Sequence, residues 1–141
     1  GSARGAALVD LDLDGLLDLV KVVRRQNVQI WRNLGSGDAD APRAMGHWLG
    51  IELAGDAPNR DAIGAWVAVK VGDRVTEREL TVGGGHASGT LGPVHVGLGD
   101  ATSAGIRVTW PDGAVGPWMA VAGDRLVRIA QGASAPETRA P

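Results

Sequence analysis

Apolar and polar residues alternate with a period of two along most of this chain. Leu49, Ile51 and Leu53 alternate with Trp48, Gly50 and Glu52, and Val67, Val69 and Val71 alternate with Trp66, Ala68 and Lys70. Val94 and Val96 stand either side of His95. Ile106, Val108 and Trp110 interleave with Arg107 and Thr109, and Val127 and Ile129 with Arg128. Leu80 and Val82 follow Val75 across a polar stretch. A period of two puts one set of side chains on each face of a strand. Each run has strand length and is bounded by Gly, Pro, Asn or Asp. No window of helical spacing competes. Short strands separated by turn signals predict an all-β fold, an antiparallel β-sandwich or barrel. Pro111-Asp112-Gly113 marks a tight turn between two of the strands.

The same pattern divides the chain. Residues 1–34 hold short strand patterns at 6–9, 19–23 and 28–33 around an acidic stretch. Residues 35–46 are small, polar and aperiodic, which reads as a linker. Residues 47–131 form one β-rich domain. Residues 132–141 lack apolar anchors and read as a disordered tail.

Composition narrows the classes. The chain has 141 residues, enough for one domain with a real core or one domain plus a small appendage. The formal net charge is −2, and the 12 Arg and 2 Lys are scattered. No basic field or polybasic arm draws nucleic acid or an anionic membrane. No apolar run is long enough for a helical membrane span, and no signal peptide is visible. Without cysteine there are no disulfides or thiolate metal sites, and the compartment stays open. The chain starts Gly1-Ser2 without a methionine, so it reads as a cut fragment from which an export signal could have been removed. With Phe and Tyr absent, the five Trp are expected to supply the aromatic core. The alternative is a sugar-stacking platform of Trp48, Trp66, Trp110 and Trp118.

The densest chemistry lies at residues 10–18, Asp10-Leu11-Asp12-Leu13-Asp14-Gly15-Leu16-Leu17-Asp18. Two carboxylates ~4 Å apart repel by ~1 kcal/mol in water and ~4 kcal/mol at an effective dielectric of 20. The spacing D-x-D-x-D-G-x-x-D suits a hard cation, because Ca2+ takes six to eight oxygens from carboxylates, backbone carbonyls and water. Asp10, Asp12, Asp14 and Asp18 would supply carboxylates and Leu16 a backbone carbonyl, with Gly15 permitting the turn. The plainer reading is a half-buried strand with one wet face, although Asp is depleted in strands. The loop is not an EF-hand: Lys21 stands where that loop needs its bidentate Glu, and the flanks read as strands.

Two segments resemble known families. The run from Gly5 to Val20, with Val28-Gln29-Ile30-Trp31-Arg32-Asn33, resembles one FG-GAP or VCBS repeat. That resemblance implies a β-propeller blade binding Ca2+ through the acidic loop. The second resemblance rests on His47-Trp48-Leu49, Asn59-Arg60-Asp61-Ala62-Ile63-Gly64-Ala65, Val94-His95-Val96-Gly97-Leu98-Gly99 and Trp110-Pro111-Asp112-Gly113. These resemble the ASPIC/UnbV domain, found in cartilage acidic protein-like proteins and in UnbV-type proteins of enediyne gene clusters. The chain departs from that pattern where His86, Gly89 and Val96 replace an aromatic, a Gln and a Phe. A propeller needs several blades. The single repeat is therefore expected to pack on the second domain, unless the remaining blades act as its partner. The family resemblance favours an extracellular or secreted setting.

Other constellations carry less. The stretch Gly83-Gly84-Gly85-His86-Ala87-Ser88-Gly89 lacks the Lys-Ser/Thr of a phosphate loop and reads as a flexible turn. Ser88 has no nucleophile-elbow sequence around it. His47, His86 and His95 have no short metal spacing. Asn59, Arg60 and Asp61 form a polar turn. Structurally it would fix a loop, with Arg60 paired to Asp100 or Asp112; functionally it would hold a small polar ligand.

The expectation is therefore a Ca2+-binding, all-β accessory or binding module rather than an enzyme. Its partner would be a small molecule, a glycan or a protein, with no nucleic acid and no membrane insertion. A link to enediyne-type natural-product biosynthesis follows from the UnbV resemblance. The alternatives are an extracellular carbohydrate- or protein-binding module, and an enzyme acting on a polyketide-like or sugar substrate. Asn59, Arg60, His86 and Ser88 are the candidate ligand-binding residues.

Overall fold

The computed structural model describes residues 2–84, 86 and 88–139. Gly1, Gly85, Ala87, Ala140 and Pro141 lie outside this set. With them go the reading of the N-terminal Gly-Ser, part of the glycine-rich turn and the end of the expected tail. Among the described residues there are eleven strands and no helix. The chain divides into two compact units, one of residues 1–45 and 82–91, the other of residues 46–81 and 92–141.

The first unit contains a three-stranded antiparallel sheet: β1 (Ala3–Val9), β2 (Asp18–Val23) and β3 (Gln29–Trp31), in that order. The acidic stretch is the connection between β1 and β2. Leu8 faces Leu19, which in turn faces Trp31, while Val20 faces Ile30. Both faces of this sheet therefore present apolar side chains. Much of that surface is open: Leu8, Val22, Ile30 and Trp31 are all exposed. Among the described residues of this unit, Leu16, Val23 and Asp18 are the buried ones.

The stretch expected to be a linker, residues 35–46, is instead tied down through residue 43. Leu34 O accepts from Gly37 N (2.9 Å) and Arg43 N (3.2 Å), and Ser36 N donates to Arg43 O (3.1 Å). Asp38 Oδ1 accepts from Asp40 N (3.1 Å) and Ala41 N (2.9 Å). Gly35 has φ +58°, and a Cβ there would collide with the Arg43 carbonyl. Small polar residues serve a tight turn as well as a flexible spacer.

The second unit is a β-sandwich. Its strands are β4 (His47–Ala54), β5 (Trp66–Val71), β6 (Arg74–Glu79), β7 (Val94–Gly99), β8 (Ser103–Thr109), β9 (Met119–Ala122), β10 (Arg125–Ala130) and β11 (Glu137–Arg139). One sheet has the order β11-β10-β4-β7, the other β6-β5-β8-β9. The inner faces follow the alternation in the sequence. Leu49, Ile51, Val127 and Ile129 come from one sheet, and Val67, Val69, Ile106 and Val108 from the other; all are at most 2% exposed.

The structure differs from expectation in three places here. The sheet holding β4 is mixed, because β10 runs parallel to it from Arg125↔Leu49 to Ala130↔Ala54. Parallel neighbours need a long crossover, and β5 to β9 lie between these two in the chain. The tail also carries a strand. Arg128 pairs with Glu137 and Leu126 with Arg139, and Arg139 Nη1 reaches Glu52 Oε2 at 2.7 Å. Backbone pairing at a sheet edge needs no apolar anchor. Finally, Trp110 is the buried tryptophan (4%), whereas Trp31, Trp66 and Trp118 are exposed. The aliphatic side chains fill the core themselves.

Candidate functional site

The β1–β2 loop is built by its own carboxylates. Asp10 accepts from Asp14 N (3.1 Å) and Gly15 N (2.9 Å), and Asp14 Oδ1 accepts from Leu16 N (2.9 Å). Gly15 takes φ +89°, as the turn requires, and Leu13 takes φ +59°. The left-handed conformation costs a non-glycine residue about 1–2 kcal/mol. The hydrogen bonds inside the loop offset that cost. The result gathers Asp10, Asp12 and Asp14, whose oxygens lie within 4.8 Å of one another. Among the described residues this is the one such group of potential metal ligands.

Two further residues shape the cluster. Arg32 Nη2 donates to Asp12 Oδ2 at 2.7 Å and stands 3.7 Å from Asp14 Oδ2. Repulsion among the acids is thus partly relieved by a guanidinium from just beyond β3. Asp18 plays a different part from the other three. It is 3% exposed, and its carboxylate accepts from Asn33 N (2.8 Å) and Leu11 N (3.4 Å). Asn33 adds a bond from Nδ2 to Leu17 O (3.2 Å). Asp18 and Asn33 therefore stitch the end of β3 to the loop. Leu16 is buried, and its N–H is committed to Asp14.

By donor type, Asp10, Asp12 and Asp14 fit a hard cation, since all their ligating atoms are oxygens. Three carboxylates and one guanidinium leave a net negative site. Arg32 could not be anticipated from the motif, because it lies 20 residues from Asp12 with no short-range signal.

The expected ligand residues fall into two units. Asn59 and Arg60 belong to the second, His86 and Ser88 to the first. Neither unit brings the four together. Asn59 uses both ends of its amide on Ile63, with Nδ2 donating to its carbonyl (2.9 Å) and Oδ1 accepting from its N–H (3.0 Å). This is the loop-fixing role. Arg60 is exposed, and among the described residues it pairs with neither Asp100 nor Asp112. Asp112 instead accepts from Ala114 N (2.9 Å) and Gln131 Nε2 (2.8 Å). It fixes the turn that Pro111-Asp112-Gly113 predicts. Gly113 there has φ +87°, and its N–H donates to Trp110 O at 2.9 Å. Asn59 and Asp112 line a shallow cleft of about 190 Å³ with Asp56 and Gln131. The Ser88 hydroxyl donates to the Gly84 carbonyl, and His86 is exposed.

The outer face of the β6-β5-β8-β9 sheet carries two of the tryptophans that the core does not use. Trp66 is 46% and Trp118 42% exposed. The Arg107 guanidinium lies 4.6 Å from the Trp118 ring centroid, an attractive cation–π arrangement. On the other sheet, Trp48 stacks on His95 with centroids 5.6 Å apart and planes 10° from parallel.

A sandwich of two four-stranded sheets in one unit and a small sheet with an acidic loop in the other define an all-β module. A family model described as ASPIC and UnbV matches residues 55–136, more than half of the chain, taking in β5 to β10. The chain belongs to that family. No curated protein and no solved structure matches it.

Proposed function

We propose that this chain is a calcium-stabilised, all-β binding module. The observation that supports the reading most is the convergence of the Asp10, Asp12 and Asp14 oxygens within 4.8 Å. A divalent cation at these carboxylates would add binding free energy to folding. Asp18 and the Leu16 carbonyl would complete the ligand set if the loop tightens on the ion. The FG-GAP or VCBS reading of residues 1–34 draws support from the sheet's two apolar faces, since a propeller blade packs neighbours on both sides. Further blades or a protein partner would cover them. The context of enediyne-type biosynthesis rests on the likeness to UnbV-type proteins.

Thermal melts in EDTA and in millimolar Ca2+ test the metal. The melting transition should rise in calcium, and Asp14→Ala should remove the rise. Equal transitions in the two buffers would count against it.

The binding reading is preferred to the enzymatic one because the Asn59 amide is committed to backbone and Ser88 to Gly84. A glycan ligand is the favoured class, on the strength of the exposed Trp66 and Trp118. Sugar rings stack on such faces. Tryptophan fluorescence against a glycan panel, with Trp118→Ala as the control, reads this out.

A further inference from the structure

The second unit has a cleft whose walls the calcium reading does not use. In β6 the core-facing register is inverted. Arg74, Thr76 and Arg78 stand directly opposite Val71, Val69 and Val67 of β5. Directly opposed residues share a sheet face, so two arginines and a threonine occupy the side that is apolar in β5, β8 and β9. Val75, the apolar residue of β6, points outward and is exposed. β6 and β7 are edge strands of their respective sheets. Between them lies a cleft of about 310 Å³.

The lining is chemically lopsided. Arg74, Thr76 and Arg78 form one wall, Val96 and Leu98 of β7 belong to the other, and Val69 and Val71 supply further apolar surface. Among the described residues no carboxylate lines it. Glu77 and Glu79 alternate onto the opposite face of β6. Among the described residues neither arginine makes an ion pair. The β7 side chains of the lining that face the sandwich interior are Val96 and Leu98. Guanidinium forks match carboxylate, sulfate and phosphate geometry, and hydroxyls supply a further donor.

We propose that this cleft binds an oxyanion carried on a small organic molecule, held between Arg74 and Arg78 over Thr76, with its body against Val69 and Val71. The competing explanation is that inward-pointing charges on an edge strand only prevent edge-to-edge pairing. Charge alone serves that purpose, so lysine would replace arginine without loss. Anion recognition by a planar fork would not survive the exchange.

The test is an NMR amide titration of the full chain at constant ionic strength. The probes are D-glucuronate, inorganic sulfate and inorganic phosphate, with D-glucose as the neutral control. Glucuronate should give saturable shifts at residues 74–78 and 95–99, and glucose none. Saturation by sulfate or phosphate with none by glucuronate would assign the cleft to a free inorganic anion and overturn the organic ligand. The Arg74→Lys/Arg78→Lys variant should bind glucuronate at least tenfold more weakly, with an unchanged melting transition. Thr76→Asp, between the two arginines, should abolish binding by placing a carboxylate there. Undiminished binding in the lysine variant, or no saturable shift with any charged probe, would overturn the proposal.

Discussion

The two units of this chain are held together by different forces. In the second, aliphatic side chains from both sheets are buried almost completely, with Leu49, Val67 and Ile106 at 0% exposure. Burial of such side chains contributes roughly 1.5–3 kcal/mol each. In the first, Leu8, Val22, Ile30 and Trp31 stay exposed, and the buried set among the described residues is Leu16, Val23 and one aspartate. Its loops are organised by carboxylates that accept from backbone N–H groups. A hydrophobic core holds the sandwich. The three-stranded sheet leans on polar bonds, those accepted by Asp10, Asp14 and Asp18 among them.

That contrast can be broken most forcefully in the sandwich. Leu49→Ala should cost about 2–5 kcal/mol, the usual range for emptying a packed site. Chemical denaturation followed by tryptophan fluorescence measures it. A loss below 1 kcal/mol would mean that the core is looser than its burial implies. Next in size is Asp18→Ala, which leaves the Leu11 and Asn33 amides without their acceptor. Hydrogen bonds to a charged acceptor contribute about 1.5–3 kcal/mol each. The effect should be confined to the first unit, with hydrogen exchange accelerating at residues 10–33 and unchanged in the sandwich strands. Uniform acceleration across both units would contradict the separation of forces. The smallest effect is expected from Arg32→Gln. It removes the guanidinium that competes for Asp12 and Asp14, and it should tighten calcium binding a few-fold in a calorimetric titration. Weaker binding would assign Arg32 a supporting rather than a competing role.

What the sequence made legible follows from where short-range pattern and structure coincide. β4, β5, β8 and β10 were readable because both faces of each strand have a consistent character, apolar inward and polar outward. The acidic loop was readable because its residues are close in sequence and the spacing itself carries the geometry. β9 escaped because Ala120 and Ala122 blur the alternation of Met119 and Val121. β11 escaped because Glu137-Thr138-Arg139 is polar throughout and joins by backbone pairing. The parallel β4–β10 pair depends on a contact across more than 70 residues, which no local pattern encodes. β6 is the most instructive miss. Its single valine stands on the outer side while its exposed arginines share the side that is apolar in β5, so apolar position is a poor guide at a sheet edge. The division of the acids was also hidden. Asp10, Asp12, Asp14 and Asp18 look equivalent in the motif, yet burial turns Asp18 into a structural acceptor and leaves the other three as the cluster.

Backbone amide shifts, followed while Ca2+ is titrated into metal-free chain, address the central claim most directly. The account predicts saturable shifts at residues 10–18 and slowed exchange across β1 to β3, with the sandwich amides unmoved and Asp14→Ala silent. A titration that leaves residues 10–18 where they began would contradict it.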